Sequence, residues 1–315
     1  MQLIKPSFII IEQESGLEGM YKQIELAGRT CYKSEDKITK TSAKEFVDRM
    51  VKSGHGAMLE HGTVYLYIPY DREQEGNTYI WDDKTSRHYN PEVIKYQVNE
   101  HIKVHYDGNY NAYITTNFRV LVENAWMDDI TLYRCEPESR HELRYTVKFT
   151  CDRGVTHEFV RHRVFSFAQE STRYCNYSKD KFGNEITFII PSWLDLQEGT
   201  YEEKYLISKD TEEKYKTIGC SDIFYNVSSS PEGRFLEACV WSEYYYLDLL
   251  NTYNWKPQEA RAVLPNALKA ELVMTGFISD WEHFFYLRTP INAHPQAREL
   301  AIPLLEEFKN RKYLK

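Results

Sequence analysis

No two cysteines in this chain are spaced as Cys-x-x-Cys, and no apolar run approaches the roughly 18 residues of a membrane-spanning helix. The six cysteines, Cys31, Cys135, Cys151, Cys175, Cys220 and Cys239, are scattered over 315 residues. That pattern argues against a zinc knuckle and a small disulfide framework, and it fits reduced thiols in a cytoplasmic protein. The short apolar run near the amino terminus is interrupted by Lys5, Pro6 and Glu12, so no secretory leader is expected. Positive charge is scarce as well: 39 basic against 47 acidic residues leave a net charge of -8. A surface that binds nucleic acid or anionic membrane as a whole needs the opposite sign, so any anionic ligand must be held by a local cluster.

What the chain has in excess is aromatic surface, with 25 Tyr and 15 Phe, while apolar residues at 42% and charged residues at 27% are ordinary for a folded, water-soluble protein. Ser42-Ala-Lys-Glu45 has the form of a capping box before Phe46, Val47, Met50 and Val51 at helical spacing, and Gly54 closes that helix. Thr63 to Ile68, β-branched and aromatic and bounded by Pro69, predicts a strand just beyond Glu60-His61. A further strand is expected over Ala112 to Val120. Tyr145 to Cys151 alternates as a half-buried strand does, with Arg153-Gly154 as its turn and Val155, Phe159 and Val160 as a short helical stripe. Pro231 opens a helix with Phe235, Ala238, Cys239, Tyr245, Leu249 and Leu250 on one face. Another helix starts at Pro257, Ser279-Asp-Trp-Glu282 forms a second capping box, Pro290 ends that helix, and Pro295 begins the last one, which Pro303 bends. These elements predict an α+β fold, a mixed or antiparallel sheet flanked by helices. A single domain over residues 1–315 is expected, with polar insertions at about 70–140 and 195–230.

The segment Arg161-His-Arg-Val-Phe-Ser-Phe-Ala-Gln-Glu-Ser-Thr-Arg173 gathers three arginines and a histidine inside an acidic chain. Guanidinium groups bind phosphate oxygens in a bidentate way, and Gln169 and Ser171 add neutral donors and acceptors, so the segment points to a phosphate-bearing ligand. Arg161-His162-Arg163, seven residues, then Ser171 resembles the signature of the flavin-dependent thymidylate synthases. Three separated pieces agree with it in order: Glu60-His61-Gly62-Thr63, Glu259-Ala-Arg261-Ala-Val-Leu-Pro265, and His283-Phe-Phe-Tyr-Leu-Arg288 followed by Ala293-His294.

The resemblance implies that His61, Thr63, Arg161, His162, Arg163, Gln169 and His283 contact FAD. It implies that Glu158, Arg161, Gln169, Glu170, Ser171, Thr172, Arg173, Arg261 and Arg288 hold dUMP, with Arg173 and Arg261 on the phosphate. Arg288 is the catalytic residue it assigns, facing a uracil ionised at its ring nitrogen. NADPH and 5,10-methylenetetrahydrofolate are the implied cosubstrates, and the implied assembly is a homotetramer with shared active sites. No cysteine carries the signature of a thymidylate synthase nucleophile, and Ser171 has no Ser-His-acid arrangement around it. The chain departs from the family where Phe277-Ile-Ser279 replaces an Asn-x-Arg flavin contact, and where Glu158 stands in place of the Gln of several relatives. Asn117-Phe-Arg119 has the missing spacing elsewhere in the chain.

Two other readings are weaker. His157 and His162 are separated by five residues, which turns them about 140° apart on a helix, so zinc binding of the His-Glu-x-x-His kind does not follow and no metal is expected. A nucleic-acid-binding module using the Arg161–Arg173 segment is the alternative from a different class, and net acidity disfavours it. Neither nucleic acid nor membrane is therefore expected as a partner.

Overall fold

The computed structural model describes residues 1–70, 80–82, 87–89, 91–179, 182–201 and 230–314. Strands Gln2–Ile4 (β1) and Ser7–Ile11 (β2) lead into helices Gly16–Tyr32 (α1), Ser42–Ser53 (α2) and Gly56–Leu59 (α3). Gly54 ends α2 in the left-handed region at φ 69°, as its lack of a side chain permits. The expected capping box at its start does not form: the Ser42 hydroxyl accepts from the Thr39 amide at 2.9 Å and donates to Glu25 at 2.8 Å, which ties α2 to α1 instead.

Strand Thr63–Ile68 (β3) has the bounds its sequence predicts. Strands Ile80–Asp82 (β4) and Arg87–Tyr89 (β5) pair antiparallel, and helix Pro91–Gln97 (α4) and strand Lys103–Tyr106 (β6) follow. Strand Ala112–Asn117 (β7) stops short of the expected Val120. The Asn117 side chain accepts from the Val120 amide at 3.2 Å and caps helix Phe118–Glu123 (α5), which helix Asp128–Tyr133 (α6) succeeds. Strands β3, β7 and β6 make an antiparallel sheet, and Leu66 and Ile114 pack there in one core with Met20, Ile24, Phe46 and Val47 of α1 and α2. Of the segments expected as insertions, residues 71–79, 83–86, 90 and 202–229 lie outside the described residues.

The central sheet is antiparallel, in the order β2, Arg144–Asp152 (β8), Lys269–Phe277 (β12), Ser166–Gln169 (β9). Arg144 lies opposite Phe277 and Asp152 opposite Lys269, so alternation fixes two faces along the whole pairing. One face carries Val147, Phe149, Leu272 and Met274 against helices Arg153–Phe159 (α7), Ile278–Arg288 (α10) and Pro295–Asn310 (α11). Trp281 is fully buried there and donates to the Tyr145 carbonyl at 3.1 Å. The lack of a side chain at Gly276 is required, since a Cβ would stand 2.5 Å from the Phe165 ring. The opposite face meets α1 through Ala27, Ala168 and Val273.

Strand β1 lies between Thr187–Ile189 (β10), parallel to it, and Gly199–Thr200 (β11), antiparallel. This third sheet shares a core with helix Pro231–Asn251 (α8), which Ser230 caps by accepting from the Gly233 amide at 3.1 Å. The buried line of α8 is Cys239, Ser242, Tyr246 and Leu250, and the expected Tyr245 is 51% exposed. Helix Pro257–Ala260 (α9) starts where Pro257 predicts, as α11 does at Pro295. The second expected capping box is displaced. Because β12 runs to Phe277, the helix starts at Ile278, and Asp280 rather than Glu282 accepts from the cap residue, the Phe277 amide, at 3.0 Å. The whole is an α+β architecture of mixed and antiparallel sheets flanked by helices. Among the described residues no helix is long and apolar enough to cross a membrane.

Candidate functional site

Residues Arg153 and Gly154, expected as a turn, are the first of α7. Asp152 accepts from the Val155 amide at 2.8 Å and caps the helix, so Val155 and Phe159 point into the core and Glu158 emerges at the last turn. In α10 the burial of Trp281, Phe284 and Phe285 leaves His283 exposed and brings Arg288 to the helix end beside Glu158. Arg288 Nη1 donates to Glu158 Oε2 at 2.8 Å, its Nη2 to the Glu158 carbonyl at 2.6 Å, and its Nε to His162 Nε2 at 2.9 Å. Arg161 Nη1 reaches the other Glu158 oxygen, Oε1, at 3.3 Å. Arg288 is 13% exposed in this cluster and Arg161 is 71% exposed.

The charges agree with these bonds. Hydrogen bonding from Arg288 holds the Glu158 carboxyl below the usual range, with burial opposing. Burial, then the Arg288 and His283 charges, push His162 down to about 4. Its imidazole is therefore neutral at pH 7, with the proton on Nδ1 and Nε2 free to accept. The His162 ring is 6% exposed, 5.1 Å from that of Phe284 and 6.4 Å from that of His283.

A second group forms where β9 leaves the sheet. Gln169 donates to Thr156 Oγ1 of α7 at 2.8 Å, which ties this group to the helix that carries Glu158. Arg261 donates to Thr172 Oγ1 at 2.9 Å, and the neighbouring Arg173 is exposed with its guanidinium 5.5 Å from the Tyr174 ring centre. Among the described residues neither Arg173 nor Arg261 has a carboxylate within ion-pairing distance, and the exposed Arg163 has none either. The Ser171 amide donates to the Cys31 carbonyl at 2.9 Å, and its hydroxyl accepts from the Arg173 amide at 3.4 Å. Glu170 is turned inward, 2% exposed, and accepts from Lys269 at 2.7 Å and Tyr177 at 3.1 Å. Nearby, Glu271 is held down at about 2. Burial alone would raise it, and Lys269, Lys33 and Lys148 outweigh that effect.

His61 and Thr63 lie on the other face of the central sheet. His61 is fully buried and shares a 2.8 Å hydrogen bond with Thr275, whose hydroxyl meets that of Thr146 at 2.8 Å. Burial and the Arg144 charge push it down to about 3. Thr63 Oγ1 accepts from Arg144 at 3.3 Å and lines a cavity of about 340 Å³ with Gln13, Tyr65, Arg134, Arg144 and Tyr145. Arg144, which the sequence reading did not select, also donates to the Glu60 carbonyl and to Ser166, and stacks 5.4 Å from the Phe277 ring. No carboxylate among the described residues pairs with it, and burial lowers it to about 10. Its only signal in the sequence is an arginine that opens the alternating strand. In Asn117-Phe-Arg119, Asn117 caps α5, and Arg119 is bound to Glu123 of its own helix at 2.7 Å and to Glu60, the neighbour of His61, at 2.5 Å.

Thus Glu158, Arg161, His162 and Arg288 come together, with His283 beside them. Thr172, Arg173 and Arg261 make an adjoining group, and His61 and Thr63 form a third across the sheet. The thiols are poor nucleophiles where a shift is seen: burial raises Cys31 and Cys135 to about 11 and Cys239 to about 12. Cys220 lies outside the described residues.

Residues 132–311 match the family described as thymidylate synthase complementing protein. A flavin-dependent thymidylate synthase of Pyrococcus furiosus is 29% identical over 161 residues, covering 51% of this chain and 52% of that protein. One from Corynebacterium glutamicum is 22% identical over 304 residues, covering 95% of this chain and 79% of that protein. Against the Pyrococcus furiosus and Pyrococcus abyssi proteins, the chain spans about half the length of the curated relatives it matches. Among solved structures, thymidylate synthase X from Helicobacter pylori with FAD and dUMP has a TM-score of 0.37 at 16% identity, covering 96% of this chain and 92% of the other. The UMP/dUMP methylase PolB from Streptomyces cacaoi bound with 5-Br dUMP has a TM-score of 0.39 at 14% identity, covering 98% and 93%.

Proposed function

Because this chain belongs to the thymidylate synthase complementing protein family, the family of the flavin-dependent thymidylate synthases, we propose that it reductively methylates dUMP to dTMP. The one-carbon donor in this reading is 5,10-methylenetetrahydrofolate, and FAD reduced by NADPH is the hydride carrier. The observation that carries it is the fixed, 13% exposed guanidinium of Arg288 beside the Arg161–His162–Arg163 segment. A cation held there stabilises a uracil ionised at its ring nitrogen and so raises electron density at carbon 5, where the new carbon attaches.

Arg173 and Arg261, cations that no carboxylate among the described residues neutralises, bind the nucleotide phosphate. Gln169, Ser171 and Thr172 shape the rest of the nucleotide site, and Glu170, turned inward, holds Lys269 and Tyr177 behind it. Arg161, His162, Arg163 and His283 hold FAD, together with Thr63, while His61, fully buried against Thr275, supports that face from within. The exposed guanidinium groups of Arg161 and Arg163 suit the diphosphate of that cofactor, and the Thr63 cavity adds neutral donors. The chemistry that FAD supplies when bound is hydride transfer, and the raised thiols of Cys31, Cys135 and Cys239 agree with a route that needs no cysteine nucleophile.

The open character of the site supports a homotetramer with shared active sites. Arg161 is 71% exposed, Tyr286 74% and Tyr174 61%, and the third group sits across the sheet, which leaves the site open to enclosure by further copies of the chain. Titration of the flavin-loaded protein with dUMP tests the reading. A saturable change in flavin absorbance is expected, weakened in Arg261→Ala. A folded protein that takes up no flavin, or one that binds flavin and is blind to dUMP, contradicts it.

A further inference from the structure

Resting on the reading that Arg288 faces the uracil, we propose that Glu158 is a positioning residue: it fixes the Arg288 guanidinium and holds Arg161 beside it, acting through the two arginines. An arginine side chain is long and flexible, but its guanidinium is a rigid planar fork of five N–H donors. Here three of its edges are engaged, by the Glu158 carboxylate at 2.8 Å, the Glu158 backbone carbonyl at 2.6 Å and His162 at 2.9 Å. The remaining two N–H groups stay available to a ligand, in a plane already set.

The base of this clamp is firm. Glu158 sits one residue before Phe159, which is fully buried, on a helix that Asp152 caps. A carboxylate is required because both of its oxygens accept: Oε2 takes Arg288 and Oε1 takes Arg161 at 3.3 Å. The amide of a glutamine offers one acceptor and turns its N–H donors toward the second cation. At this position Gln can therefore hold one arginine but not bridge two. The Glu158 in this chain couples the residue assigned to the uracil to a residue assigned to both ligands.

The test is a set of flavin-loaded variants, Glu158→Ala, Glu158→Gln, Arg288→Ala and Glu158→Ala with Arg288→Ala, each checked for folding by circular dichroism. Two quantities are read in each: turnover of dUMP, and the rate at which phenylglyoxal labels Arg288 where it is present, followed by peptide mass spectrometry. The clamp predicts that Glu158→Ala speeds labelling of Arg288 at least about fivefold and lowers kcat at least about tenfold with a smaller change in KM for dUMP. Glu158→Gln recovers part of both, and in the Arg288→Ala background the Glu158→Ala change costs several-fold less than in the wild-type chain, the remainder acting through Arg161. Unchanged labelling in Glu158→Ala, or losses that multiply in the double variant, would overturn the clamp. Faster labelling together with full turnover by Arg288→Ala would leave the clamp standing and remove the catalytic reading of Arg288.

Discussion

Arg288 Nε donates to His162 Nε2 at 2.9 Å, a bond that an imidazolium could not accept. Protonating His162 would set two cations face to face in a site where that ring is 6% exposed.

A pH dependence of stability follows, and its sign can be worked out. His162 at about 4 and His61 at about 3 lie below the ordinary imidazole value of 6.5. Between those values the unfolded chain binds protons that the folded chain refuses. Their stabilising contribution is therefore present above pH 6.5 and is lost as pH falls toward about 4 and 3. The thermal midpoint should drop steadily from pH 7 to pH 5, and His61→Asn should flatten that slope. A midpoint unchanged over this range in the wild-type chain would contradict the buried neutral state.

Arg261→Ala should raise KM for dUMP by about tenfold or more while kcat changes less, because a charge-assisted bond to phosphate contributes about 1.5–3 kcal/mol. Thr172→Val, which removes the hydroxyl that receives Arg261 at 2.9 Å, should have a smaller effect in the same direction. Steady-state kinetics with varied dUMP separate the two parameters. An unchanged KM in Arg261→Ala would remove Arg261 from the phosphate site.

Cys31→Ala and Cys135→Ala should each keep turnover within about twofold, because thiols raised to about 11 supply little thiolate at neutral pH. Activity assays before and after iodoacetamide treatment give an independent check. Loss of turnover in a folded alanine variant would reinstate a cysteine nucleophile.

Trp281→Ala should cost about 3–5 kcal/mol of stability, since it opens a cavity among Phe149, Phe284, Phe285 and Phe308 and deletes the bond to the Tyr145 carbonyl. Denaturant unfolding measures this. A loss below about 1 kcal/mol would mean that the α10 seat is not what holds Arg288 in place.

Much of the fold was legible because local chemistry punctuates it. Pro69 and the β-branched run fixed β3, the alternation from Tyr145 fixed β8, and Gly54, Pro231 and Pro295 marked helix ends that the structure keeps. The caps failed where a local pattern competed with a long-range partner: Ser42 serves Glu25, and the continuation of β12 through Phe277 moves the start of α10. On α8 the tertiary core selected Tyr246 over its neighbour Tyr245.

The site divides in the same way. The Arg161–Arg173 segment is contiguous and could be read directly, and Arg288 entered through resemblance. Its pairing with Glu158 spans 130 residues, and no local spacing encodes it. Arg144 was missed for the same reason, since its environment arises only when β8 and β12 pair and bring Phe277 opposite it. The placement of His61 and Thr63 across the sheet from Arg288 depends on that same register.

The most direct measurement of the central claim is tritium release from dUMP labelled at carbon 5. The folded, FAD-loaded protein supplied with 5,10-methylenetetrahydrofolate and NADPH should release tritium to water, and Arg288→Ala should slow that release by about 100-fold or more. A folded, flavin-loaded chain that releases none under these conditions, or an Arg288→Ala variant that matches the wild-type rate, would contradict the account.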